Sequence, residues 1–158
     1  ELENKKVKYE AKIAGNIDAG LKEDILSQIS KLKYTSYVGV VYNDDKKELL
    51  NWSNIFVLPT FYKMEGQPIS ILEALATRNV VISTKHAGIN DIIEENKNGY
   101  LVEKKNSESI TNRLVHLDEN KSKILEISNY NKIYFTKNFT IEIFGKEIVK
   151  IMKANAIT

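Results

Sequence analysis

Ile55-Phe56-Val57-Leu58 is an unbroken apolar run that stops at Pro59, and Pro68 then opens a segment patterned as a helix. Such a run suits a strand covered on both faces. Pro68 suits a first helical position, where its missing N–H costs nothing and its fixed φ is already helical. Beyond it, Ile69, Leu72 and Ala76 recur at helical spacing and predict an inward stripe. Glu73 then lies roughly 40° from Ile69 and roughly 60° from Ala76, at the border of that stripe, where a carboxylate needs hydrogen-bond donors. Glu65 precedes the same helix start, where free backbone N–H groups favour negative charge. Two carboxylates around a helix that begins at a strand end suggest a polyol held between them and an anion at the helix start. As an isolated pair they read more readily as a pre-helix acid and a shielded surface residue.

The neighbouring residues separate these readings. Pro59-Thr60, then Glu65-Gly66-Gln67-Pro68, then Leu72-Glu73-Ala74-Leu75-Ala76 resembles the signature of the retaining glycosyltransferases of family four, with its two glutamates separated by seven residues. Those are two-domain nucleotide-sugar enzymes of the GT-B fold. The resemblance runs from about Tyr9 to Phe144 and is dense between Phe56 and Val102. It implies a Rossmann-like three-layer α/β domain, with a parallel sheet and helices on both faces. It further implies that residues 1–158 form one donor-binding domain, the carboxyl-terminal half of a longer enzyme, with 120–158 as terminal helices.

Composition sets the outer bounds. The 158 residues suffice for one compact domain, and 42% hydrophobic with 28% charged residues is ordinary globular usage. A net charge of +2, with Lys46-Lys47 and Lys104-Lys105 read as solvated turns, gives no case for nucleic acid. There are no cysteines and only two histidines, His86 and His116, which lie far apart in the chain, so no metal site is expected. His86 reads as loop decoration. No apolar run approaches the ~20 residues of a membrane span, and the first residues are no signal peptide, so a cytoplasmic protein is expected.

In chain order, Tyr9 to Ala14 reads as a strand ending at Gly15, and Leu21, Ile25, Leu26, Ile29 and Leu32 as an amphipathic helix. Tyr37 to Tyr42 reads as the next strand and Asn43-Asp44-Asp45 as a helix cap. Val80 to Ser83 and Tyr100 to Val102 are further strands, with a short helix from Ile89 to Glu94 between them. Ser107 is the expected cap of the following helix. Strand and helix patterns alternate five times, predicting one parallel sheet whose carboxyl edge carries the ligand. Thr140 is expected to start a last helix whose apolar face (Ile141, Phe144, Ile148, Ile151) is partly exposed.

The resemblance assigns roles on that edge. Glu73 takes the ribose hydroxyls, and Glu65, the catalytic candidate, the donor sugar. The backbone from Gly66 through Gln67, Pro68, Ile69 and Ser70 surrounds the sugar and diphosphate, with N–H groups donated by all of these but the proline. Gly15 approaches the donor, and Val41 and Tyr42, with Val40, lie on the base side, although Val40 and Val41 also read as plain core. The nucleotide-diphosphate sugar is a substrate, and no cofactor or metal is implied. The implied partners are that donor, a preceding acceptor-binding domain and a glycan or lipid-linked acceptor. Peripheral attachment to the inner membrane face through that other half is compatible with it. The basic residues that grip the diphosphate belong to a strand expected before Glu1, and this stretch alone is expected to be inactive. Some positions depart from the family pattern. Phe61-Tyr62-Lys63-Met64 lengthens the loop, Arg78 stands where a glycine usually ends the helix and leaves Asn79 to take the left-handed cap, Ala87 replaces a glycine, and Asp91 replaces a glutamate. A sugar-nucleotide epimerase of the same fold and a non-catalytic interaction module are the alternatives.

Overall fold

The computed structural model of the protein describes residues 1–155. In chain order the elements are β1 (Ala11–Ala14), α1 (Lys22–Ser30), β2 (Thr35–Gly39), α2 (Asn43–Trp52), β3 (Ile55–Leu58), α3 (Ile69–Ala76), β4 (Val80–Thr84), a 3-10 turn (Ala87–Asp91), β5 (Gly99–Val102), α4 (Ser107–Glu119), α5 (Lys121–Asn138) and α6 (Ile141–Asn155). The chain divides into two compact units, Glu1–Leu49 and the residues from Leu50 onward.

In the first unit β1 pairs parallel with β2, from Ala11 opposite Thr35 to Ala14 opposite Gly39. The register shifts between Ile13 and Ala14, where β2 runs into Gly39 with a φ of 80°. That backbone suits glycine and closes the strand, so β2 does not continue to Tyr42 as its apolar residues predict. Val40 and Tyr42 are exposed and Val41 is half-buried.

In the second unit β3, β4 and β5 form a parallel sheet with β4 central and buried along its whole length. Period-two alternation sorts the side chains onto two faces. Phe56, Leu58, Val81 and Leu101 meet Ile71, Ala74 and Leu75 of α3, together with Ile89, Ile92 and Leu50. Ile55, Val80, Ile82, Tyr100 and Val102 meet Leu114 and Leu117 of α4, and Ile127 of α5. This is the expected α/β arrangement, a parallel sheet between helical layers. The five strands do not form the single ladder that the alternation suggests. Strand hydrogen bonding gives a two-stranded sheet in the first unit and a three-stranded sheet in the second. Alternation dictates parallel sense but not which strands become neighbours.

At the amino edge of the sheet, where β4 and β5 begin, sits an amide hub. Asn131 of α5, fully buried, donates through Nδ2 to the carbonyls of Asn79 (2.7 Å) and Asn98 (3.0 Å). Asn79, also buried, donates to the Leu50 carbonyl and the Thr77 hydroxyl and accepts from Ser53 Oγ. It is therefore not the left-handed cap of α3. Arg78 takes that position, with a φ of 66°, and the amides of Arg78 and Asn79 close the helix on Leu75 and Ala74. Gly99 is required by proximity, since a Cβ there would strike the Val81 carbonyl. Asn106, not Ser107, caps α4, accepting from Ser109 N–H at 3.0 Å. On α6, Ile141, Phe144, Ile148 and Ile151 are exposed, as expected. No helix among the described residues is long and apolar enough to cross a membrane.

Candidate functional site

The β3–α3 loop leaves the carboxyl end of β3 and is tied down residue by residue. Ser83 Oγ donates to the Leu58 carbonyl at 2.6 Å, and Thr84 Oγ1 donates to the Thr60 carbonyl. Thr60 Oγ1 in turn accepts from Tyr62 N–H and donates to Glu65 Oε2, both at 3.2 Å. Glu65 N–H closes the turn on the Tyr62 carbonyl at 3.1 Å. One threonine thus orients the half-buried Glu65 carboxylate while accepting a bond from the turn that carries it. Phe61, Tyr62, Lys63 and Met64 form the exposed crest.

Gly66 follows Glu65 on the surface, and a Cβ added to it would meet nothing within 4 Å. Its carbonyl accepts from Gly88 N–H at 3.2 Å, which joins this loop to the one after β4. That approach is close, because a Cβ on Gly88 would stand 3.1 Å from both the Gly66 oxygen and Gln67 Cγ. Gln67 is exposed and Pro68 buried, with Pro68 in the N-cap position (φ −63°, ψ 117°) rather than inside the helix. The first bond at the helix start runs from Ile71 N–H to the Pro68 carbonyl, at 3.0 Å. The amides of Ile69 and Ser70 therefore lie in the first turn, where the helix supplies no acceptor and the dipole favours an anion.

The orientation of α3 corrects the sequence-based reading. Its buried residues are Ile71, Ala74 and Leu75, while Ile69 is 72% exposed and Ala76 is also exposed. Ile71 and Leu75 lie roughly 160° around the helix from Glu73, so Glu73 does not border the core. It stands half-buried on the open face with Ile69 and Ala76, one turn beyond the helix start. The apolar residues admit two stripes, and packing against β3 and β4 selects the one without Ile69.

Of the predicted residues, Glu65, Gly66, Gln67, Pro68, Ile69, Ser70 and Glu73 are contiguous along this loop and helix, and Gly88 packs against them. Gly15, Val41 and Tyr42 belong to the first unit. There Gly15 has a φ of 140°, donates its N–H to the Gly39 carbonyl at 2.9 Å and accepts from Tyr37 Oη at 2.7 Å. A Cβ on Gly15 or Gly39 would meet nothing within 4 Å, so two bare backbone segments lie side by side at the ends of β1 and β2. Residue patterns do not reveal Gly39 as the partner of Gly15, nor Thr60 as the anchor of Glu65, though each stands beside a residue that they single out.

Comparison with known proteins fits this geometry. A family model of the group 1 glycosyl transferases matches residues 1–120. The amylovoran biosynthesis glycosyltransferase AmsK of Erwinia amylovora is 26% identical over 147 residues, which span 88% of this chain and 35% of that protein. The chain thus spans about a third of that curated relative. The Anabaena protein HepE, solved with UDP and glucose, superposes with a TM-score of 0.79 at 16% identity, covering 92% of this chain and 40% of that one. The carboxyl-terminal domain of the group 1 glycosyl transferase LpcC of Francisella tularensis gives 0.68 at 25% identity, over 78% of this chain and 65% of that one. The match extends from β1 through α4 and takes in both the paired glycines and the loop of Glu65 and Glu73, and on it the chain belongs to the group 1 glycosyl transferases.

Proposed function

We propose that this chain is the nucleotide-sugar-binding half of a retaining, metal-independent glycosyltransferase of family four, acting at the cytoplasmic side in bacterial surface polysaccharide or glycolipid synthesis. The observation that carries the reading is the pairing of an oriented Glu65 with Glu73 on the open face of the helix that follows it. Glu73 accepts from the ribose hydroxyls, and Glu65 from hydroxyls of the donor sugar. The diphosphate lies at the start of α3, where the Ile69 and Ser70 amides and the helix dipole receive the charge that grows as the sugar–phosphate bond breaks. Preorganised donors of this kind stabilise a leaving group without reorganisation at the moment of reaction. Gly66, with open space above it, lets the sugar approach the backbone. The resemblance also implies donor-side contacts from Gly15 and base-side contacts from Val41 and Tyr42, all of the first unit. No separate cofactor enters. The acceptor, a glycan or lipid-linked sugar, is bound by a preceding domain of the whole enzyme, through which any membrane attachment runs.

Calorimetric titration of the protein with nucleoside diphosphates and their sugars tests the reading, beginning with UDP. Saturable binding that Glu73→Ala weakens supports it. Failure of every nucleoside diphosphate to bind folded protein would overturn it. In the intact enzyme, turnover that persists in a chelator and a product that keeps the donor's anomeric configuration are the expected results.

A further inference from the structure

His86 occupies a more constrained position than a loop histidine needs. Its Nε2 lies 2.7 Å from the Tyr62 carbonyl oxygen, and its Nδ1 lies 2.8 Å from Lys104 Nζ. A carbonyl oxygen only accepts, so Nε2 carries the hydrogen. Nδ1 then offers its lone pair to the ammonium of Lys104, which has donors and no acceptor. The two contacts select a single neutral tautomer. The carbonyl that His86 grips is the one that also receives Glu65 N–H, at 3.1 Å. Three successive loops at the carboxyl edge of one sheet are joined in this way: Tyr62 after β3, His86 after β4 and Lys104 after β5. A second tie lies beside the first, with Lys105 Nζ 4.9 Å from the centre of the Phe61 ring.

We propose that His86 is a positioning residue, held in its Nε2–H form by Lys104, which fixes the turn that presents Glu65 to the sugar. The proposal rests on the reading of Glu65 as the sugar-side carboxylate. It gives the β3–α3 loop a further function: it supplies the Tyr62 carbonyl as a handle, and Phe61 as a surface for Lys105.

The test compares His86→Leu, which fills a similar volume without a donor, with His86→Gln, whose amide can donate to the Tyr62 carbonyl and accept from Lys104. In the protein without ligand, His86→Leu should speed hydrogen exchange at the Glu65 amide about tenfold, while the amide of Ile82 in β4 keeps its rate. His86→Gln should restore most of the protection. Imidazole nitrogen shifts of the unsubstituted protein should report the Nε2–H tautomer, and Lys104→Met should mix the two tautomers. In the intact enzyme with a donor and acceptor, His86→Leu should lower turnover about 10- to 100-fold and leave UDP affinity within about twofold. An Nδ1–H tautomer, or unchanged exchange at Glu65 in His86→Leu, would overturn the proposal. So would equal acceleration at Glu65 and Ile82, which would mark a general loss of stability. If the unsubstituted protein binds no UDP, that counts against the donor reading alone, because exchange and tautomer still decide the role of His86.

Discussion

Thr60 and Glu65 are joined by a hydroxyl-to-carboxylate bond of 3.2 Å that spans the turn between them. Thr60 is itself fixed through its carbonyl by Thr84 on the neighbouring strand. The carboxylate is therefore referenced to the sheet through a single side chain. Thr60→Val keeps the volume and removes both hydroxyl contacts. Water can replace part of the lost bond at this half-exposed site, so turnover of the intact enzyme should fall about 3- to 10-fold with nucleotide affinity unchanged. Steady-state kinetics beside calorimetry would check this. A parallel loss of affinity would contradict it.

Glu73 separates a ligand role from a structural one. If it receives ribose hydroxyls, Glu73→Ala should weaken donor binding about 10- to 100-fold, since charge-assisted bonds are strong but water competes. Glu73→Gln should fall between, because an amide accepts through one oxygen. A lower melting temperature with unchanged affinity would mark Glu73 as structural.

Arg78 ends α3 in a left-handed conformation that an L-residue with a side chain adopts at a penalty. Arg78→Gly should stabilise the fold by about 0.5–1 kcal/mol, the relief of that penalty reduced by the greater freedom of glycine in the unfolded chain. Urea titration would measure it, and a loss of stability would show that the arginine side chain contributes more than its backbone withholds.

Asn131 supplies two donors to carbonyls inside the second unit. Asn131→Leu leaves both buried oxygens without that partner, for an expected destabilisation of about 2–4 kcal/mol. The denaturation midpoint should fall without a change in slope. A change under about 1 kcal/mol would mean that neighbouring groups or water satisfy these carbonyls instead.

Much of this architecture is legible in the sequence, and the failures share a cause. β3, β4 and β5 announce themselves because buried parallel strands read as apolar runs, and Asn98-Gly99 marks the turn into β5. Glu65 and Glu73 stand out because their spacing and neighbours are specific. The covered face of α3 is not legible, because Ile69 and Ile71 are both isoleucines and only the sheet beneath decides which is covered. β2 stops at Gly39 because of its backbone angle, which the apolar residues after it conceal. Asn106 outranks Ser107 as a cap, a one-residue choice between two good capping types. The division into two ladders and the grip of His86 on Tyr62 depend on pairings between distant residues, which local pattern does not encode.

The amide hub has a consequence for the order in which the second unit is made. Asn131 closes on carbonyls 52 and 33 residues behind it. On the ribosome the three strands of the sheet therefore emerge before the residue that bridges the segments around them. At ordinary elongation rates the interval between β5 and Asn131 is roughly 2–6 s. Over that time the carbonyls of Asn79 and Asn98 remain solvated and the face that Ile127 will cover stays open. The last strand is finished well before the unit is, and α5 is the piece that completes it.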